Sequence, residues 1–294
     1  MNRDFFGFRP FFYLAYAIVL TAGLLYLRFP TEKFKLFCEK RIESYLTGSA
    51  CSIDRIAYHF PFSLSVAKFQ LTREADGKRS VFRVDQCAVT PDFSNLFKTF
   101  DVSGKIYQGD FFLKLSIDGA EKSFQLNDLS VKGFNMDEWA NDFNLLDRKL
   151  SGIVEYSGHY QAKFASPLDG MGKGKLVAVD GSMELLQPVL SLSNVAFERI
   201  AVDMTHEEKV VKFTGGEMSG KEINADFTGE MRTTSPFLNS SILLSGHLSP
   251  TEGFLTAHPE EKKVVEQLLR RYRKSDLPYK VGGSVGRPTF RFSL

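Results

Sequence analysis

The run Gly282-Gly283-Ser284-Val285-Gly286 carries the letters of a G-x-S-x-G nucleophile elbow. In that motif a serine on a strand-to-helix turn attacks an acyl carbon, with an acid and a histidine supplied later in the chain. Only eight residues follow Gly286, and they include Pro288 but no His, Asp or Glu. These glycines therefore read as a turn before a last strand. The five histidines, His59, His159, His206, His247 and His258, are scattered. None stands in H-E-x-x-H and no Cys-x-x-Cys occurs, so the spacing does not build a zinc site. His159 and His247 fall within alternating segments and read as strand-face residues. Gly172-Lys173-Gly174-Lys175 lacks the spacing of a phosphate-binding loop. Carboxylates are spread singly, and no pair is nominated for glycoside chemistry. The sequence offers no catalytic, cofactor-binding or metal-ligating residue, and the expectation is a protein that is not an enzyme and carries no cofactor.

The elements around these residues point to surfaces instead of reactions. Phenylalanine reaches 28 and glycine 23 of 294 residues, a mix that suits strands and tight turns. Three of the 37 basic and one of the 35 acidic residues fall in the first thirty, leaving 34 of each sign beyond them. A balanced body argues against nucleic-acid binding, which wants a basic excess. Cys38, Cys51 and Cys87 are too few and too odd in number for a disulfide framework. Cys51 and Cys87 lie in or beside strand-like runs and can pair outside the cytosol; three inert thiols are the equal alternative.

Phe11–Leu27 is seventeen residues without a charge. A helix needs about 20 mostly apolar residues to cross a hydrocarbon core. Phe11, Leu14, Ile18, Leu20, Leu24 and Leu27 carry its apolar surface, Tyr13, Tyr16 and Tyr26 suit the interfacial belt, and Arg9 and Arg28 bracket it. The alternative is a cleaved signal peptide at Ala15-Tyr16-Ala17, but apolar residues continue past that point. The reading is an uncleaved anchor over 11–29 after a short tail, 1–10. Residues 30–48 read as an amphipathic helix: Thr31 can cap it, Phe34, Phe37, Cys38, Ile42, Tyr45 and Leu46 share a face, and Gly48 can end it. This helix is expected to lie near the membrane surface or to plug the open end of the strand-rich body.

From residue 49 to 294 the period becomes 2. Tyr156, Gly158, Tyr160, Ala162 and Phe164 alternate with polar residues, as do Ile223, Ala225, Phe227, Gly229 and Met231, and more loosely Phe111, Leu113, Leu115 and Ile117. Other strands are expected at 51–58, 62–71, 81–89, 103–109, 123–134, 172–179, 181–185, 190–205, 209–214, 240–248, 278–285 and 288–293. Turns are expected at Gln108-Gly109-Asp110, Val179-Asp180-Gly181 and Thr214-Gly215-Gly216. Ser-Gly after an apolar residue recurs at 102–104, 150–152, 218–220 and 244–246, where glycine lets a strand bend or a neighbour pass close. Two helices interrupt the strands. One starts at Asn135 with Glu138 at N3 and presents Met136, Trp139, Phe143 and Leu146. The other runs from Pro259 to about Lys274 with a stripe of Val264, Val265, Leu268, Leu269 and Tyr272. Residues 166–174 are the best internal boundary. The fold expected is mainly β: an N-terminal transmembrane helix, then an elongated, twisted antiparallel meander curled into a groove or half-barrel, with a few short helices. Tyr156, Tyr160, Phe164, Ile223, Phe227 and Met231 line either an open apolar groove for lipid or a sealed core.

The order of features, closing with Ser240-Ser241 through Pro250, a charged helix, and Tyr279 through Gly283, Pro288 and a final alternating strand, resembles the type II secretion system protein N family over nearly the whole chain. The ending is also similar to AsmA-like envelope proteins. The resemblance implies a single-pass protein of the bacterial inner membrane with its body in the periplasm, a non-enzymatic accessory of secretion that meets other secretion-system subunits. The AsmA-like character implies a lipid-binding or lipid-transfer bridge as the alternative.

Overall fold

The structure, a computed structural model, describes residues 9–27, 30–46, 48–59, 62–75, 78–95, 98–143, 148–234, 236–272 and 276–293. At 9, 10, 18, 22, 24–27, 45, 75, 78, 168, 271 and 272 only the backbone is described. Of the expected anchor and stripe residues, Ile18, Leu24, Tyr26, Leu27, Tyr45 and Tyr272 thus lie outside the described side chains, and Arg28, Leu146 and Lys274 lie outside the described residues altogether.

The first helix, α1 (Arg9–Leu27), is unbroken over 19 residues. Its described apolar side chains, Phe11, Leu14 and Leu20 among them, are exposed. Counting described residues alone, no helix is long and apolar enough to cross a membrane. α2 (Thr31–Tyr45) comes next, with Pro30 in the cap position and no side-chain cap. The expected Thr31 cap fails because Thr31 is already helical and its hydroxyl has moved past the position that faces the free N–H groups. Phe34, Cys38 and Ile42 pack onto the sheet, whereas Phe37 and Leu46 are exposed, so the apolar stripe is narrower than expected.

Among the described residues fourteen strands then form one open antiparallel sheet whose spatial order is the chain order. They are β1 (Ser49–His59), β2 (Ser63–Ala75), β3 (Lys78–Pro91), β4 (Thr99–Ile106), β5 (Gly109–Asp118), β6 (Ser123–Asn135), β7 (Leu150–Lys163), β8 (Ser166–Val189), β9 (Leu192–Glu208), β10 (Val210–Ser219), β11 (Ile223–Arg232), β12 (Ser241–Pro250), β13 (Leu277–Gly283) and β14 (Pro288–Phe292). Short turns permit this. Tyr107 and Gln108, at φ 46° and 64°, join β4 to β5 with two left-handed residues, the arrangement whose twist matches the flanking strands.

Two expected turns are bulges instead. Asp180, at φ 48°, sits inside β8 opposite Gly152, so the runs 172–179 and 181–185 are one strand. Gly215 and Gly216 shift the register of β10 without ending it. A left-handed residue or a glycine absorbs one extra position while pairing resumes beyond it. β8 begins within 166–174: Ser166 pairs with Lys163, and after a register shift the ladder to β7 resumes at Met171.

Three helical insertions cover parts of the sheet. α3 (Met136–Phe143) begins as expected, with the Glu138 N–H donating to Asn135 Oδ1 at 3.2 Å. α4 (Glu252–Ala257), capped by Thr251, was not legible in the periodicity because it spans little more than one turn. α5 (Pro259–Tyr272) buries Val265 and leaves Val264 exposed, correcting the expected stripe. All three cysteines are free. Cys51 and Cys87 lie on β1 and β3 with β2 between them, roughly 9.5 Å apart across the sheet and displaced along it, since Cys51 faces Leu71 and Cys87 faces Val66. A disulfide needs Cα atoms within about 7 Å, so of the two alternatives the Cys51–Cys87 pairing is not available.

Two sealed clusters stand at opposite ends of the sheet. Cys51, Ile53 and Ile56 are buried under Phe34, Cys38 and Ile42 of α2. Ile223, Leu248, Leu277 and Tyr279 are buried with Phe254 of α4, Val265 of α5 and the β8–β9 tip, Val189 and Leu192. That tip and the hydrogen bond from Arg148 Nη2 to the Val285 carbonyl (2.9 Å) show how far the C-terminal half curls.

Candidate functional site

Antiparallel partners share a face, so the register carries one face across the sheet. From Val66 on β2 the partners run Cys87, Gly104, Phe111, Val131, Tyr156, Leu176 and Val202. A parallel row runs Pro91, Phe100, Leu115, Leu126, Tyr160, Gly172 and His206. Between them lie Val89, Val102 and Leu113, and farther on Gly158, Gly174 and Met204. The opposite face is polar: Ser130, Ser157, Lys175 and Asp203 form one of its rows.

Between the two sealed clusters the apolar face is half-buried, and of the rows just named only Pro91, Gly172 and Val202 are buried. Val102, Phe111, Leu113, Leu115, Leu126, Tyr156, Tyr160, Leu176 and Met204 are all half-buried and belong to neither cluster. With Cys87 and Val89 of β3, also half-buried, they place this face on seven strands, β3 to β9, as the floor of a trough. Its inner wall on one side is α3, held by the Arg83–Asp142 ion pair and by Trp139 packed 6.3 Å from Phe134 and 5.4 Å from Phe143. Beside α2, Phe34, Tyr58, Phe62, Leu64, Val89, Pro91 and Phe100 line a cavity of about 260 Å³.

Glycine keeps the floor flat. A Cβ at Gly174 would stand 2.3 Å from the Tyr156 hydroxyl, and one at Gly172 would stand 2.9 Å from the Tyr160 ring. Both rings therefore lie down over glycine backbone instead of standing up into the trough. The Tyr160 hydroxyl is fixed there, donating to the Pro167 carbonyl (2.8 Å) and accepting from the Gly170 N–H (3.0 Å). Its ring lies 5.2 Å from that of His206. Burial pushes the His206 imidazole below its ordinary range, and Nδ1 is buried without a hydrogen-bond partner among the described residues. A neutral imidazole is thus compatible with an apolar floor.

The six residues singled out from the sequence divide among three environments. Tyr156 and Tyr160 lie on the open floor. Phe164 is 52% exposed at its edge, 5.4 Å from Phe124. Ile223 is fully enclosed and Phe227 packs against the same cluster, while Met231 is half-buried on the same face outside it. The six thus divide between a half-buried apolar face and a sealed cluster on different strands of one sheet. The floor residues of β3, β4, β8 and β9 were missed. A register shift between Leu126 and Leu129 breaks the alternation that would have marked the face on β6, and the glycine–aromatic pairs become visible only once strands are in register.

Ser284 and His247 stay apart from the trough. Ser284 sits in the β13–β14 turn, accepting from the Arg287 N–H at both Oγ (3.2 Å) and its carbonyl (3.0 Å). His247 Nδ1 lies 3.2 Å from Asp226 Oδ2 on the polar face, beside a cavity of about 440 Å³ that Arg199, Glu217 and Asn224 also line. Both partners are about half exposed, which leaves the pair solvated and weak. Among the described residues no three His, Cys, Asp or Glu side chains gather to hold a metal ion. No protein-family model, curated protein or solved structure matches this chain.

Proposed function

We propose that this chain is a membrane-tethered, non-enzymatic holder of lipid acyl chains. The observation that carries the reading is the half-buried floor of β3–β9, apolar from strand to strand and left uncovered between two sealed clusters. Six strand intervals of about 4.8 Å and two side-chain repeats of about 6.8 Å give a floor of roughly 400 Å². Soluble monomers rarely expose a larger contiguous apolar patch unless it binds something. Covering it fully would be worth about 10 kcal/mol at ~25 cal/mol per Å². The floor presents few hydrogen-bonding groups, which suits an occupant that needs none.

The tether is α1. Nineteen residues at about 1.5 Å each span about 28 Å, against a hydrocarbon core of about 30 Å. Among the described residues no helix is long and apolar enough to cross, so the anchor rests on the sequence, whose seventeen charge-free residues include Ile18, Leu24 and Leu27 outside the described side chains. Placement in a bacterial inner membrane with the body in the periplasm, and partnership with secretion-system subunits, are proposals carried by the ordered sequence features. They are compatible with a lipid-holding body.

Lipid extraction from detergent-purified chain tests the reading. Phospholipid is expected to co-purify and to be lost in Leu126→Glu, with the β-sheet circular dichroism unchanged. Wild type free of lipid, or Leu126→Glu retaining it, would overturn the proposal.

A further inference from the structure

Resting on that reading, we infer that the trough is a blind receptacle, loaded and emptied through the cavity beside α2, and not a conduit open at both ends. A conduit requires its apolar floor to run off the sheet at each end. Here it does not. At the β1–β2 end α2 lies over Cys51, Ile53 and Ile56. At the β10–β14 end α4 and α5 are sunk into the face, leaving Ile223 at 1% and Leu277 at 0% exposure.

The cavity beside α2 is where the open floor meets a sealed end. Its lining is apolar on every side, and Phe62 at its rim is half exposed. Phe34, on its wall, is only seven residues beyond the end of α1. An occupant leaving the bilayer beside the anchor meets this opening before any other part of the floor. Length sets the capacity. The hydrocarbon core of about 30 Å is two chain lengths thick, so one acyl chain takes about 15 Å. Six strand intervals give about 29 Å of floor; the two chains of a diacyl lipid lie side by side, so the floor holds at most about two such lipids end to end and not a longer file.

Photo-crosslinking in membranes holding the full chain tests this, with p-benzoylphenylalanine at Phe100 (opening), Leu126 (mid-floor) or Phe290 (behind the α4–α5 cluster). Lipid adducts are expected at the first two positions and not at the third, with no more than about two phospholipids per chain by native mass spectrometry. An adduct at Phe290, or a file of more than about two lipids per chain, would show a through-conduit and overturn the inference while leaving the holder reading intact. No adduct at any position would remove the holder reading itself. Val89→Trp, which fills the opening, and Phe62→Lys, an exposed substitution compatible with folding, are each expected to cut the Leu126 adduct at least fivefold. An undiminished adduct in both folded variants would place the entrance elsewhere.

Discussion

Glu39 Oε1 accepts the backbone N–H of Ile53 at 2.8 Å, and one turn on, Glu43 Oε1 accepts that of Cys51 at 2.9 Å. Residues four apart on a helix rise about 6 Å, and alternate residues of a strand about 6.8 Å. Two carboxylates of α2 therefore meet two successive free donors of edge strand β1. The helix stands in for a missing strand and covers an edge that would otherwise be open to pairing with another chain.

Removing that contact should loosen the edge. Glu39→Ala leaves the Ile53 donor unsatisfied beside a buried cluster, an expected loss of about 1–3 kcal/mol. Glu39→Gln, which keeps an acceptor, should restore part of it. Amide exchange at Ile53, measured in detergent-solubilised protein, should accelerate in the alanine variant first.

Alkaline pH should act through two buried acids. Burial, then Glu39 and Glu43, push the Cys51 thiol up to about 11 from an ordinary 9.0. Burial, then Asp226, push the Tyr279 phenol up to about 12 from 10.0. The unfolded chain releases these protons earlier than the folded one, so rising pH favours unfolding. Their stabilising effect is complete below pH 9 and is lost as pH rises to about 11 for Cys51, and from 10 to about 12 for Tyr279. Thermal unfolding measured from about pH 7 to about pH 12 should show this decline, and Cys51→Ala should remove only its lower part.

Two glycines predict opposite outcomes for one methyl group. At Gly174 the nearest atoms all belong to the Tyr156 side chain, which can swing upward. Gly174→Ala should change stability by no more than about 1 kcal/mol while raising the ring into the trough and lowering lipid occupancy. At Gly246 a Cβ would meet the Asp226 carbonyl oxygen at 1.9 Å, and backbone cannot swing aside. Gly246→Ala should cost about 2–3 kcal/mol, read as a lower melting temperature.

The Arg83–Asp142 pair holds α3 at the trough wall, yet the Arg83 side chain is 42% exposed. Solvent screening should keep the coupling in an Arg83→Ala/Asp142→Ala double-mutant cycle near or below about 1 kcal/mol. A coupling above about 3 kcal/mol would show the pair to be desolvated.

Period-2 alternation, short turns and the Asn135 cap were enough to specify an antiparallel meander with one apolar and one polar face, because strand geometry alone sends successive side chains to opposite sides. Cover was decided by the tertiary structure. Tyr156 and Ile223 have the same pattern around them, but α4 and α5, which arrive from later in the chain, land on Ile223 and leave Tyr156 open. Bulges at Asp180 and Gly215 also shift the alternation where local counting sees turns. Whether an apolar row becomes core or trough depends on what distant segment packs on it, and no local periodicity encodes that contact.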